Sequence, residues 1–322
     1  MQYSDNFRAI PFRIGSERFA VHISDVHDFI ESERIRLQKD VQTGSVGVLQ
    51  RRGGTTIPVF SLGERLGIQR AGSLGRVVIV MKGEGSQQAY AVDDVDQPIE
   101  VRPSHYYPVA SLADPTGEGA VQGIIVHEGN LLLRIDPARI QTQSRGLRFD
   151  TIPTPQRALP DEPGQSAGTG SIFVFLLAAV TPGGRDILFA VSGKQVLEIV
   201  EETAAVPFPA APRFVPGLAL WRNRPLPVVD LATILGWEPL PQERRNLLVA
   251  RSAGSAGMVG LSISGTARTI VLPIQHRLMS DEEVEATEPH LRAISSAVFD
   301  IRGRVVALLD IDYLLGAMSR KQ

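Results

Sequence analysis

The sequence contains no cysteine. That excludes a disulfide framework, a thiolate nucleophile and Cys-liganded zinc, and it is compatible with a reducing compartment. A surplus of charge is also missing. Lys and Arg number 33 against 35 Asp and Glu, a formal net charge of −2. Such a balance gives no general field to attract nucleic acid or anionic lipid, so neither is expected as a partner. Long apolar runs are absent. The longest, Ile172 to Val180, has nine residues, whereas a membrane-crossing helix needs ~20. Its Phe and Val content and the Pro182-Gly183-Gly184 that follows predict a buried strand. The opening MQYSDNFRAIPF lacks the basic start and apolar stretch of a secretory signal, so a cytoplasmic location is expected.

Catalytic motifs are equally scarce. There is no Walker loop, dinucleotide fingerprint or kinase set. The six histidines, His22, His27, His105, His127, His276 and His290, are scattered. None stands in H-E-x-x-H or in a phospho-accepting context, and they read as surface or core-edge residues. Asp93, Asp94 and Asp96 could in principle hold a divalent cation. They lack EF-hand spacing and its closing Glu, and read as a solvated turn. The pattern G-S-x-G occurs at Gly44, Gly72 and Gly254. It lacks the first Gly of a nucleophile elbow and marks loops. An enzyme is therefore disfavoured, and no catalytic residue, cofactor or metal is expected.

What the chain has is a repeat. Its 322 residues, 43% hydrophobic and 21% charged, suit a globular protein of two domains. GVLQRRGGTTIPVFSL at 47–62 is answered by GLALWRNRPLPVVDL at 217–231, with Pro58 and Pro227 169 positions apart. Phe19-Ala20-Val21 answers Phe189-Ala190-Val191 at 170. Arg76 to Val80 answers Asn246 to Ala250, also at 170. Gly129 to Asp136 answers Gly303 to Asp310 at 174. Four landmarks in one order at nearly one offset indicate a duplicated domain.

The boundaries expected are a first domain at 1–144, a Pro/Gly-rich linker at 145–170 and a second domain at 171–322. Each half is mainly β: short Val/Ile/Leu runs separated by Gly, Pro, Asp and Ser, the pattern of barrels or sandwiches. Single helical turns are expected at Leu62–Gly67 and Leu231–Gly236, each stopped by Gly, and a short terminal helix at Asp312–Met318. Ser280 to Glu283 has the form of a capping box. The acidic run onward to Glu288 reads as a solvated loop or frayed turn.

The duplicated proline strand is the feature left to carry function. Proline has no N–H, so it belongs at a sheet edge, a strand end or a bulge. The basic turn before it contains Arg51 and Arg52 in one half, and Trp221, Arg222 and Arg224 in the other. Arginine offers a planar donor fork to carboxylates, and Trp and Arg are frequent interface anchors. These five residues are the candidate partner-binding site. The turn alone is equally compatible with an ordinary hairpin bearing solvated arginines.

These motifs resemble the CheW-like domain family of bacterial chemosensory coupling proteins. Its pattern, G-V-h-N-L-R-G-x-h-h-P-h-h-D-L with h apolar, is met by Gly217, Arg222 and Pro227 through Leu231. Its close, L-L-D-h-D, is met by Leu308 through Asp312. The first half matches at Gly47, Pro58 and Leu62, at Arg52 with one inserted residue, and at Ile135-Asp136. It departs with Ser61 in place of Asp and Gln50 in place of Asn. The second half departs with Asn223 in place of Gly. The resemblance implies two domains, each of two five-stranded SH3-like β-barrels with a groove between them. It also implies a non-catalytic scaffold without cofactor, bridging chemoreceptor tips to the regulatory domain of a CheA-type histidine kinase, with other CheW-like proteins as further partners. A small-ligand-sensing β-barrel regulator is the alternative, which a buried polar cluster in the groove would favour.

Overall fold

A computed structural model describes residues 5–40, 44–51, 54–68, 75–82, 87–108, 119–140, 170–176, 187–208, 211–238, 245–272, 276–288 and 290–318. The chain forms two compact units, one from each half except that Leu220–Pro225 group with the first. The first contains β1 (Phe7–Ile14), β2 (Glu17–His22), β3 (Val26–Glu31), β4 (Arg36–Asp40), β5 (Ser45–Gln50) and β6 (Thr56–Ser61). The helical turn α1 (Leu62–Arg65) follows, then β7 (Val77–Lys82), β8 (Gln87–Val92), β9 (Asp94–Val95), β10 (Ile99–Val101), β11 (Tyr106–Pro108), β12 (Val121–His127), β13 (Asn130–Ile135) and α2 (Pro137–Ile140).

The second repeats this order with β14 (Gly170–Leu176), β15 (Ile187–Ser192), β16 (Val196–Thr203), β17 (Ala205–Pro207), β18 (Gly217–Trp221), β19 (Arg224–Val229), α3 (Leu231–Ile234), β20 (Arg245–Arg251) and β21 (Met258–Leu272). It continues with β22 (His276–Leu278), α4 (Asp281–Thr287), α5 (Leu291–Ile294), β23 (Ser295–Ile301), β24 (Arg304–Leu309) and α6 (Ile311–Met318). The expected linker falls outside the described residues, apart from its last residue, Gly170, which opens β14.

The first unit holds two sheets. One has the order β10-β1-β2-β13-β12-β11 with β9 also on β1, and the other β3-β7-β8-β6-β5-β4. In the second unit the equivalent strands join into one continuous sheet. The cause is β21. Its first part pairs with β19 and β20, and its later residues pair with β14. The matching stretch of the first unit is cut into β8, β9 and β10. The cuts fall at Asp93 and before Pro98, which has no N–H for a ladder.

Strand alternation sends successive side chains to opposite faces, and here both faces are buried. Phe189 and Val191 pack into one cluster with Leu248, Leu261, Val298, Leu309 and Leu314. Ala190, between them, packs into another with Ile172, Val174, Phe299 and Val306. Strands buried on both sides read as continuous apolar runs, which is why Val77–Met81 and Leu247–Ala250 show no alternation.

Several expectations need adjustment. The two prolines stand in strands interior to their sheets, not at edges. Parallel pairing to the next strand begins only at Val59 and Val228, one residue beyond each proline. The missing N–H therefore falls where the strand has a partner on one side. The repeat register is also corrected. Sheet pairing makes Arg245, not Asn246, the counterpart of Arg76, because Val78 faces Ala91 and Leu247 faces Ser262. The acidic run at 281–287 is a helix and not a loop. Ser280 and Glu283 complete a reciprocal capping box, and acidic residues in a first turn favour the helix dipole.

Candidate partner-binding surface

Trp221, Arg222 and Arg224 are brought to one hairpin end, between β18 and β19. Arg222 and Asn223 both have positive φ, 46° and 59°. That is the two-residue turn whose twist matches flanking antiparallel strands. Other hairpins of this chain put glycine second in the turn, as in Glu128-Gly129 and Arg302-Gly303. Here Asn takes the place, the non-glycine residue that tolerates this region best. Arg222, Asn223 and Arg224 are exposed and Trp221 is half-buried. The Arg222 guanidinium lies 4.8 Å from the centroid of the Trp221 ring, within cation–π range. A flat, oriented cation on an aromatic base thus stands at the tip.

In the first unit, Arg52 lies outside the described residues. Arg51 ends the strand side of its turn, taking the Thr55 carbonyl with its amide at 2.9 Å. Its side chain is half-buried and its Nη1 lies 3.2 Å from His27 Nε2. His27 is on β3, where its pairing with β7 shifts register, and Phe29 further along that strand is 42% exposed. The equivalent strand of the second unit exposes Leu197. These strand residues were missed by attention to the turn alone. An exposed ring in a strand read as Val-His-Asp-Phe-Ile-Glu is their only signal.

The asparate-for-serine difference between the halves has a structural meaning. Asp230 caps α3, accepting from the amides of Ala232 at 3.0 Å and Thr233 at 3.4 Å. Its other oxygen takes Arg245 Nη1 at 3.2 Å, with side chains 1% and 3% exposed. Arg245 also donates to Ser262 Oγ at 2.9 Å. Ser61 only caps α1, through Glu64 N at 3.4 Å. Arg76 is exposed and Ala91 stands opposite Ser262's place. The whole network is absent from the first unit, and its aspartate is buried framework, not contact surface.

The closing aspartates are framework too. Asp310 caps α6 through Tyr313 N at 2.8 Å. Asp312 accepts from Ser252 Oγ and from Ala253 N at 3.2 Å. The Ser252 hydroxyl holds the Asp312 carboxyl below its ordinary value, against a partial burial effect, with the Gly254 and Ala253 amides assisting. This clasp fixes the Gly254–Gly257 loop. The Asp93 cluster is solvent-accessible, as expected, and is also tied to β1 and the turn after it. Asp93 accepts from Gly15 N at 2.6 Å, and Asp94 pairs with Arg13 at 2.6 Å. The Arg13 bond lowers the Asp94 carboxyl. Among the described residues no group of three or more His, Asp or Glu is placed to hold a metal ion.

The first unit has its own buried polar cluster. Arg134, 5% exposed, donates to Tyr106 Oη at 3.2 Å and Gln122 Oε1 at 3.1 Å. Gln122 in turn donates to Asp136. Phe7 stacks on His22 at 5.6 Å. Burial holds the His22 imidazole below its ordinary value, with Asp25 opposing and Arg134 reinforcing. These groups bond to one another within the sheet.

The fold is thus a mainly β protein of two homologous units, with an exposed arginine hairpin between β18 and β19. The chain belongs to the CheW-like domain family, whose pattern it matches at residues 8–145 and again at 179–319. This is a family of chemotaxis scaffold and coupling proteins. The chain is similar to the Chemotaxis protein CheW of Rhizobium meliloti (strain 1021), 26% identical over 155 residues, covering 44% of this chain and 94% of that protein. It is also similar to the solved structure of the scaffolding protein TtCheW from Thermoanaerobacter tengcongensis, at 23% identity and a TM-score of 0.36. That likeness covers 42% of this chain and 91% of TtCheW. Each relative thus matches about one unit of this tandem chain.

Proposed function

We propose that this protein is a non-catalytic tandem scaffold that couples chemoreceptor tips to a CheA-type histidine kinase regulatory domain in a cytoplasmic signalling array. The observation that carries this reading is the repetition of a whole CheW-like domain at 8–145 and 179–319. The exposed Trp221–Arg224 tip supports it, having the aromatic and arginine character of binding hot spots. In the first domain, Arg51 beside His27 and the exposed Phe29 on the same strand as His27 are the matching candidates. Two weak modules in one chain convert the second binding event into an intramolecular one. If both reach neighbouring sites, avidity exceeds either affinity by roughly 10²–10⁴.

The test is a pull-down of the full chain against the chemoreceptors and kinase of its own organism. Capture of both, with no transfer of labelled phosphate from the kinase to the scaffold, is expected. Capture of neither, or stoichiometric phosphorylation, would contradict the reading.

A further inference from the structure

Two homologous domains in one chain face a folding hazard. Their closing strands share one register: β13 lies on β2 with Leu133 opposite Phe19 and Arg134 opposite Ala20. β24 lies on β15 with Ala307 opposite Phe189 and Leu308 opposite Ala190. As backbones the two strands are interchangeable. Exchange of equivalent elements is a characteristic failure of multidomain and repeat proteins, and a low-cost route to unwanted dimers.

The buried arginines differ between the domains in a matched way. Arg134, Tyr106 and Gln122 have Leu308, Leu278 and Ser296 as register counterparts. Leu308 packs against Ile172, Ala190, Leu278 and Phe299. The hydroxyl of the bulged Ser296 donates to the Leu308 carbonyl at 3.2 Å. At the second network the relation is reversed. Arg245, Asp230 and Ser262 are buried in the second domain, where the first has an exposed Arg76, Ser61 and Ala91.

We infer that these two networks are keys that keep each domain's strands in their own domain. β13 laid on β15 would set the Arg134 guanidinium among Ile172, Phe299 and Leu278. β24 laid on β2 would set Leu308 beside Tyr106 and Gln122, stripping their polar atoms of the arginine. β20 laid in place of β7 would bring Arg245 to a serine and an alanine with no carboxylate. An uncompensated buried charge is among the costliest mismatches a core can hold. Discrimination by making the wrong pairing bad is the general route to specificity between like partners. The two networks involve different strands of the repeated unit, so each guards a different pairing.

The experiment uses the full chain, unfolded in denaturant and refolded across a wide range of protein concentration. Size separation with light scattering then measures dimers that persist on dilution and revert only through unfolding. One variant carries Arg134→Leu, Gln122→Ser and Tyr106→Leu, which gives the first domain the residues of the second. A reciprocal variant carries Leu308→Arg, Ser296→Gln and Leu278→Tyr. Val126→Ala weakens the first domain without touching either network and serves as control.

Wild type and Val126→Ala should return to the species distribution of the never-unfolded protein. The triple variant should show about tenfold more exchanged dimer, the factor that ~1.4 kcal/mol of lost discrimination carries. Should the first variant fail to fold, the reciprocal variant takes its place in the same comparison. Refolding of a folded triple variant with the wild-type distribution overturns the inference. Equal exchange in Val126→Ala also overturns it, since loss of stability alone would then suffice.

Discussion

Replacing Asp230 by alanine removes three bonds at once. The Ala232 and Thr233 amides lose their cap, and Arg245 loses its carboxylate in a site where both side chains are almost fully buried. Breaking a buried ion pair by deleting one partner costs about 3–5 kcal/mol, and losing an N-cap costs about 1 kcal/mol. The same carboxylate serves both, so the terms overlap, and about 4 kcal/mol is expected. That is a large share of the 5–15 kcal/mol typical of a domain. Ser61→Ala at the matching place removes only one cap bond and should cost about 1 kcal/mol. The chain provides its own probe. Of its two tryptophans, Trp237 is buried in the second domain, while Trp221 lies in the Leu220–Pro225 tip that groups with the first unit. With Trp221→Phe as the background, tryptophan fluorescence in a denaturant titration follows the unfolding of the second domain. Asp230→Ala should move its midpoint far down, while Ser61→Ala should leave it in place. A midpoint for Asp230→Ala equivalent to less than about 1 kcal/mol of loss would refute the argument that the pair is buried framework.

Three further outcomes follow from the same contacts. Asn223→Gly, which removes the side chain from a φ of 59°, should stabilise the second domain by about 0.5 kcal/mol in the same titration; a loss would mean that the Asn side chain itself holds the turn. Asp312 has a folded value below its unfolded one, chiefly through Ser252, so its stabilisation is complete above the unfolded value and disappears as pH falls through the folded one. The stability gap between wild type and Asp312→Asn should accordingly be constant above about pH 5 and shrink below it; a gap that widens on acidification has the wrong sign. Fragments 1–144 and 171–322, expressed separately, should each melt cooperatively, and failure of both would remove the proposed domain division.

The duplication was legible because it is written in landmarks that the fold requires. Gly67 and Gly236, both at φ 71°, stop the single helical turns where sequence expects them. Gly129 and Gly303 close matching hairpins. The exposed tip of Arg222 was legible from the polar residues between two apolar strands. The acidic helix at 281–287 was not, because charge density suggested solvent while the capping box, present in plain view, decided the local structure. The buried networks were hidden for a different reason. Arg134, Arg245 and Asp230 are charged residues, and one sequence carries no mark of which arginine turns inward. The offset of 170 in the sequence pairs Arg76 with Asn246, one residue from the true register, and so conceals that two arginines at one place have opposite environments. With a side-chain period of two, that single step exchanges inside for outside.

The proposed coupling role turns most directly on Arg222. Its backbone strain is shared by alanine at the same φ, and its side chain is exposed, so Arg222→Ala should leave the melting temperature nearly unchanged. Loss of an anchoring, charge-assisted interface contact costs on the order of 2 kcal/mol, roughly thirtyfold in affinity. The measurement is a titration of wild type and Arg222→Ala against the kinase regulatory domain and a receptor-tip fragment. A thirtyfold loss for at least one partner, at constant melting temperature, is predicted. Wild-type affinity for both partners would contradict the assignment of this hairpin as the binding surface.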